Sequence, residues 1–315
     1  MPKSIKPATK AVKPPYPTQA SFERKHREYY KKICQYLTTK RGRKPENQNF
    51  VIELQERSAL SHYATNCTAR IEFARLAVRK LIAMWNSDRE NKNVRNYALL
   101  TLTPRFAAFP LSVAGTYDWS QLQSWADKKL KGLNFLGIVE AAFFSNKSIG
   151  SNNEPTVSWH LHVIVWGAER EKLRSITRQI NAEETALIED KKPAHFRMMK
   201  GRKDLACTTR YILKSVQSDY RVFTRKELKK DGSKDWDQKK GDIKPGNAIK
   251  MHRLFRGVTI EDLCIYGGEG RQLFRSVTKS CTNRLLEVEE ERQRRLTEAC
   301  KGISLKAVEK RLAGL

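Results

Sequence analysis

The segment Ser158-Trp159-His160-Leu161-His162-Val163-Ile164-Val165-Trp166-Gly167 constrains the fold most. Side chains of a β-strand alternate between its two faces. One face therefore carries Trp159, Leu161, Val163 and Val165, an apolar row that needs a core. The other face carries His160 and His162. Two imidazoles about 7 Å apart on one sheet face can converge on one divalent ion. Their neutral ring nitrogens are good ligands, and a carboxylate is the natural third. The same pair also fits a polar strip on an ordinary sheet.

Glu140 is the candidate carboxylate. Leu136 to Phe144 reads as a second strand, apolar except for Glu140. A charge in such a strand needs a reason to be there. The loop Ser145 to Glu154 joins the two strands, which predicts an antiparallel pair with Glu140 beside the histidines. The expected metal group is Glu140, His160 and His162.

The flanking segments predict the rest of the unit. Tyr97 to Thr103 is β-rich and stopped by Pro104. A helix opens at Asp118, with Trp119, Leu122, Trp125 and Ala126 on one side. Residues 169–188 and 204–218 read as helices, and 194–199 as a strand. The order β-α-β-β-α-β-α is that of a ferredoxin-like unit with an antiparallel sheet, so the expected fold class is α+β. Four segments are expected: a disordered basic arm (1–20), a helical DNA-binding extension (21–93), the sheet-bearing unit (94–223) and a basic C-terminal extension (224–315). Ser21 is a possible N-cap of the first helix. Residues 50–86 read as helical, 226–250 as a mobile insertion or long basic hairpin tip, and 283–300 as a charged helix.

Charge narrows the partners. The 315 residues carry 61 Lys+Arg against 34 Asp+Glu, a formal net charge of +27. It divides as +10 in residues 1–48, +2 in 49–93, +7 in 94–223 and +8 in 224–315. Such an excess points to a polyanion, most simply nucleic acid, though a ribosome-associated or merely adhesive basic protein would also show it. Six Trp, twelve Phe and ten Tyr exclude a disordered tail. The most apolar stretch, Leu133 to Phe144, is far short of the roughly 20 residues of a membrane span. The N-terminus is basic but has no apolar core for a secretory signal. Six Cys without a CxxC pair argue against a zinc ribbon or a disulfide scaffold and fit a reducing cytoplasm.

A candidate nucleophile lies in Thr208-Thr209-Arg210-Tyr211-Ile212-Leu213-Lys214. On a helix Tyr211 and Lys214 share a face. A phenol can attack a phosphodiester and become a phosphotyrosine, with a metal polarising the phosphate. Lys214 would steady the phosphate or lower the tyrosine pKa. A tyrosine with a snorkelling lysine has the same spacing.

Three strings in this order, Leu99-Leu100-Thr101-Leu102-Thr103, His160-Leu161-His162 with Glu140 upstream, and Tyr211-Ile212-Leu213-Lys214, resemble motifs 1, 2 and 3 of the HUH endonucleases. The closest resemblance is to rolling-circle replication initiators of plasmids or phages, over roughly residues 95–220. It implies Mg²⁺ or Mn²⁺ on the histidine pair and an acidic residue, with a helical tyrosine that nicks and rejoins single-stranded DNA through a 5′-phosphotyrosine. Tyr211 follows His162 by 49 residues, the order of initiators rather than of conjugative relaxases. Implied partners are single-stranded DNA, an origin duplex and a host helicase. Gly267-Gly268-Glu269-Gly270-Arg271 lacks the Lys-Ser/Thr ending of a phosphate loop and reads as a turn.

A relaxase or transposase of the same superfamily would need Tyr29 or Tyr30. A non-catalytic single-strand-binding module would keep the basic flanks without needing Glu140, His160, His162 and Tyr211 together. Tyr220 is not on the helical face of Tyr211, which disfavours a two-tyrosine mechanism. Thr101 and Thr103 share a strand face and could line a DNA groove. Cys207, His195 and His252 read as packing or surface.

Overall fold

In a computed structural model, which describes residues 16–45, 47, 62–92, 94–150, 153–225, 232 and 234–301, two long helices among the described residues precede the first strand. Thr18 caps helix α1 (Gln19–Leu37): its hydroxyl accepts the Ser21 amide, and the Ser21 hydroxyl accepts the Thr18 amide. Ser21 therefore closes a capping box from inside the first turn instead of being the cap. The expected arm over 1–20 is folded from Tyr16 on, where the ring is buried and its hydroxyl donates to Gln217 Oε1 at 2.8 Å. Residues 1–15 lie outside the described residues. Helix α2 (Cys67–Glu90) starts at Asn66, whose side chain accepts the Thr68 and Ala69 amides. Ala69, Phe73, Ala77 and Leu81 recur every four residues and form its buried stripe. The remainder of the helical reading of 50–86 falls largely on residues 48–61, outside the described residues.

The strands are β1 (Tyr97–Leu102), β2 (Ala108–Pro110), β3 (Asn134–Phe144), β4 (Thr156–Trp166), β5 (Ala194–Met198), β6 (Ser218–Thr224), β7 (Trp236–Asp242) and β8 (Cys264–Gly267). Between and after them lie α3 (Trp119–Lys129), α4 (Arg170–Glu183), α5 (Arg202–Ile212), α6 (Pro245–Arg253), α7 (Ile260–Leu263) and α8 (Gly270–Cys300). The strand order is β5-β1-β4-β3-β6-β7, with β2 paired to β4 and β8 to β3. The fold is α+β. Its sheet is mixed, where an antiparallel one was expected: β6 returns beside β3 in the same direction, pairing Phe143 with Asp219 and Phe144 with Tyr220. Such a return needs a long crossover, here β4, α4, β5 and α5. Strands β7 and β8, from the segment expected as an extension, belong to this same sheet.

Strand β4 is held between β1 and β3, and all eleven of its residues are buried. Trp159 packs against Trp119 of α3 and Phe255, with ring centroids 5.2 and 5.4 Å away. On the opposite face Tyr97 of β1 meets Trp85 of α2 at 4.9 Å. Truncating a side chain buried like Trp159 to alanine costs about 3–5 kcal/mol. Helix α8 buries Leu273, Val277, Cys281 and Leu285 at four-residue spacing and is longer than the helix expected over 283–300. The glycine string before it is a turn: Gly268 has φ +54°, and a Cβ at Gly270 would overlap the Phe135 carbonyl.

Helices α4 and α5 are shorter than their periodicity suggests. After α4 the chain forms a bridge between Ala186 and Pro104. After α5 the backbone is captured by the N-terminal helices, as described below. Part of the basic stretch 226–250 forms the β6–β7 hairpin, in which Tyr220 faces Lys240, and part forms α6. Among the described residues no helix is long and apolar enough to cross a membrane.

Candidate metal centre and nucleophile

Glu140 and His160 are directly opposed in the β3–β4 register, and Thr101 is opposed to His162 across β1–β4. Strand alternation puts all four on one sheet face. Glu140 Oε2 lies 4.0 Å from His160 Nε2 and 3.5 Å from His162 Nε2. One ligand atom from each of the three residues falls within 4.8 Å of the others, a group that can hold a metal ion.

The donor chemistry fits an ion. His160 Nδ1 is 3.1 Å from the Ser158 carbonyl, which can only accept. The neutral ring therefore keeps its proton on Nδ1 and turns the Nε2 lone pair toward Glu140. His162 Nδ1 is 3.0 Å from the Thr101 hydroxyl, a contact that holds the orientation of the second ring with Nε2 toward Glu140. Burial pushes both imidazole pKa values down, His162 well below its ordinary value with the His160 and Lys214 charges adding to the effect. Both rings are thus kept in the neutral form that a ligand requires.

Tyr211 stands in the last turn of α5, and its ring meets His162 edge-on at 5.2 Å. Lys214, expected on the same helical face, lies past the helix end and is bonded to both oxygens of Glu140. Its Nζ is also 4.2 Å from the Tyr211 centroid. Burial lowers the Lys214 pKa, and Glu140 opposes that shift. The Tyr211 phenol is raised, first by burial and then by Glu140. The Lys214 ammonium is thus paired with the Glu140 carboxylate beside the phenol.

The segment after Tyr211 is fastened by residues that sequence reasoning missed. Arg70 of α2 donates to the carbonyls of Ala64, Leu213 and Lys214 at 2.8, 3.3 and 3.2 Å. His26 of α1 accepts the Ser215 amide at 3.1 Å, and the Tyr29 hydroxyl donates to the Val216 carbonyl at 2.5 Å. Arg210, one residue before Tyr211, donates to the carbonyls of Tyr16 and Pro17. Segment 21–93, expected to bind DNA, thus supplies side chains that brace the tyrosine. Tyr30 packs partly buried against the core. No local signal in the sequence marks Arg70 or His26 for this work, since their partners lie 143–144 and 189 positions away.

His160 and His162 open into a cleft of about 1430 Å³, lined also by Tyr211, Thr101 and Thr103, while Glu140 lies behind them and does not line it. Its wall carries Lys191, Lys192, Arg197, Lys200, Lys203 and Lys240. The acid lining it, Asp204, is ion-paired with Arg197 at 2.6 Å. His195 and Cys207, read as packing or surface, both line this cleft, whereas His252 is buried against the Ala248 carbonyl. Tyr220 reaches the same cleft from β6 and contacts Phe144 at 5.3 Å. The arrangement joins a candidate metal-ligand group, a phenol and a cleft walled by lysines and an arginine. No protein-family model, no curated protein and no solved structure is significantly similar to this chain.

Proposed function

We propose that this chain is an HUH-type endonuclease and strand transferase, a rolling-circle replication initiator that nicks and rejoins single-stranded DNA through Tyr211. The observation that carries the reading is the convergence of Glu140, His160 and His162 on one sheet face with the Tyr211 ring 5.2 Å from His162, in a lysine-walled cleft. In this reading β1, β3, β4 and β5 with α3 and α4 form a ferredoxin-like core, to which β6, β7 and β8 are additions.

A divalent ion, Mg²⁺ or Mn²⁺, held by Glu140, His160 and His162 would polarise the scissile phosphate. Tyr211 Oη gives up its proton as it forms the bond to phosphorus; the P–O bond to the 3′ oxygen breaks, and that oxygen takes up a proton to become the hydroxyl that primes synthesis. One phosphodiester replaces another, so little free energy is lost and the strand can be rejoined. Tyr211 fits this role better than Tyr29, whose hydroxyl is committed to the Val216 carbonyl. The cleft lysines hold the strand through phosphate contacts that weaken with salt. An origin duplex and a host helicase complete the expected partners.

The test is incubation with single-stranded oligonucleotides and Mn²⁺, followed by denaturing electrophoresis and mass spectrometry of the labelled peptide. The expected product is a covalent adduct on Tyr211 that is absent from Tyr211→Phe. An adduct that persists in Tyr211→Phe would refute the nucleophile assignment.

A further inference from the structure

Two lysines stand by the ring of Tyr211, and they are differently occupied. Lys214 is buried and bonded to both oxygens of Glu140. Lys240 is exposed, with Nζ 5.4 Å from the Tyr211 centroid and 5.7 Å from the Tyr220 centroid. No carboxylate among the described residues pairs with Lys240.

The β6–β7 hairpin sets this position. Lys240 is opposite Tyr220, and Tyr220 is opposite Phe144 across the parallel β3–β6 pair. Phe144 lies four residues after Glu140 on β3, so strand alternation gives them one face. Lys240 is thereby carried to the sheet face of Glu140, His160 and His162. It lines the same cleft as His160, His162 and Tyr211. An ammonium with no direct ion pair, laid over two aromatic rings in the cleft, is arranged to receive an anion.

We infer that Lys240, and not Lys214, is the lysine that binds a phosphodiester of the single strand next to Tyr211. Its ammonium donates to a non-bridging phosphate oxygen while Lys214 stays with Glu140, and no covalent bond changes. The inference rests on the nuclease reading above.

The test uses the full chain and a labelled single-stranded oligonucleotide, with anisotropy read in chelator over a salt series. Losing one phosphate contact should weaken binding about fourfold near 0.15 M salt and flatten the log–log salt slope by about 0.7. Lys240→Ala should show both changes, and Lys240→Arg should restore both. Lys240→Met keeps the aliphatic contact with the rings and removes the charge, so it should behave like Lys240→Ala. Wild-type affinity and slope in Lys240→Met, alongside normal adduct formation by the wild type, would overturn the role of Lys240 alone. A wild type that neither binds the oligonucleotide nor forms an adduct would overturn this inference together with the nuclease reading.

Discussion

Glu140 and Lys214 form a buried ion pair at the candidate metal group. The Lys214 ammonium is bonded to both carboxylate oxygens, and Glu140 Oε2 is also 3.5 Å from His162 Nε2. The carboxylate therefore already has a cation, and an ion entering beside the histidines would have to share its oxygens with the ammonium.

This competition can be measured as stability. Lys214→Met leaves a buried carboxylate without its partner, at a cost of about 3–5 kcal/mol. In chelator the variant should melt well below the wild type. Mn²⁺ should raise its melting temperature by more than it raises that of the wild type, because a bound ion stabilises the folded state and no longer competes with the ammonium. Equal Mn²⁺ shifts in the two proteins would show that ion and ammonium do not share Glu140.

Removing the imidazoles should separate cleavage from binding. His160→Ala combined with His162→Ala is expected to bring metal-dependent strand cleavage to background. Oligonucleotide affinity should stay within about twofold, because the basic wall and its phosphate contacts remain. A titration of Mn²⁺ against chelator on a cleavage gel checks this. Wild-type cleavage indifferent to chelator would remove the metal from the reaction.

Arg70 is expected to position Tyr211 without touching substrate. Its guanidinium spans the Ala64, Leu213 and Lys214 carbonyls, and burial lowers its pKa to about 10. Arg70→Ala should cost about 2–4 kcal/mol of stability through unsatisfied buried carbonyls. A misplacement of about 1 Å at the nucleophile can cost about 100-fold in rate, so adduct formation should fall far more than oligonucleotide affinity. Arg70→Lys keeps a charge but lacks the planar fork, and should recover only part of the rate. Single-turnover rates and anisotropy on the same proteins decide the point.

Acid should loosen the brace around Tyr211. His26 Nδ1 is 2.8 Å from the Phe22 carbonyl while Nε2 accepts the Ser215 amide, so both nitrogens are used in the neutral ring. Burial brings its pKa from 6.5 down to about 4, and His252 behaves in the same way. Between these values the unfolded chain binds more protons than the folded one. The stability present above about pH 6.5 is therefore lost as the pH falls toward 4, on the order of 3 kcal/mol for each histidine. Denaturant midpoints should fall over that window, with a shallower slope in His26→Gln. An identical slope in His26→Gln would show that His26 does not carry this share.

Sequence legibility followed the range of the interaction. The β3–β4 pair and the shared face of His160 and His162 could be read in advance, because period-two alternation is a property of the strand itself. Glu140 was readable as a lone charge in an apolar run. Helix ends were read less well. Residue 218, expected in a helix, begins β6, because Arg70, His26 and Tyr29 take the backbone of Leu213 through Val216. Ser21 reads as a possible cap in the sequence, and Thr18 holds that place, because capping depends on which backbone amides each hydroxyl reaches.

Strand alternation and a short connecting loop, both local patterns, are enough to expect two imidazoles and a carboxylate on one sheet face. Tertiary packing fixes which lysine neutralises Glu140 and which one faces the open cleft. It also decided what holds Tyr211 against His162. Those outcomes depend on distances between residues far apart in the chain, where ion pairs and hydrogen bonds form only after the hairpin and the N-terminal helices have packed onto the sheet.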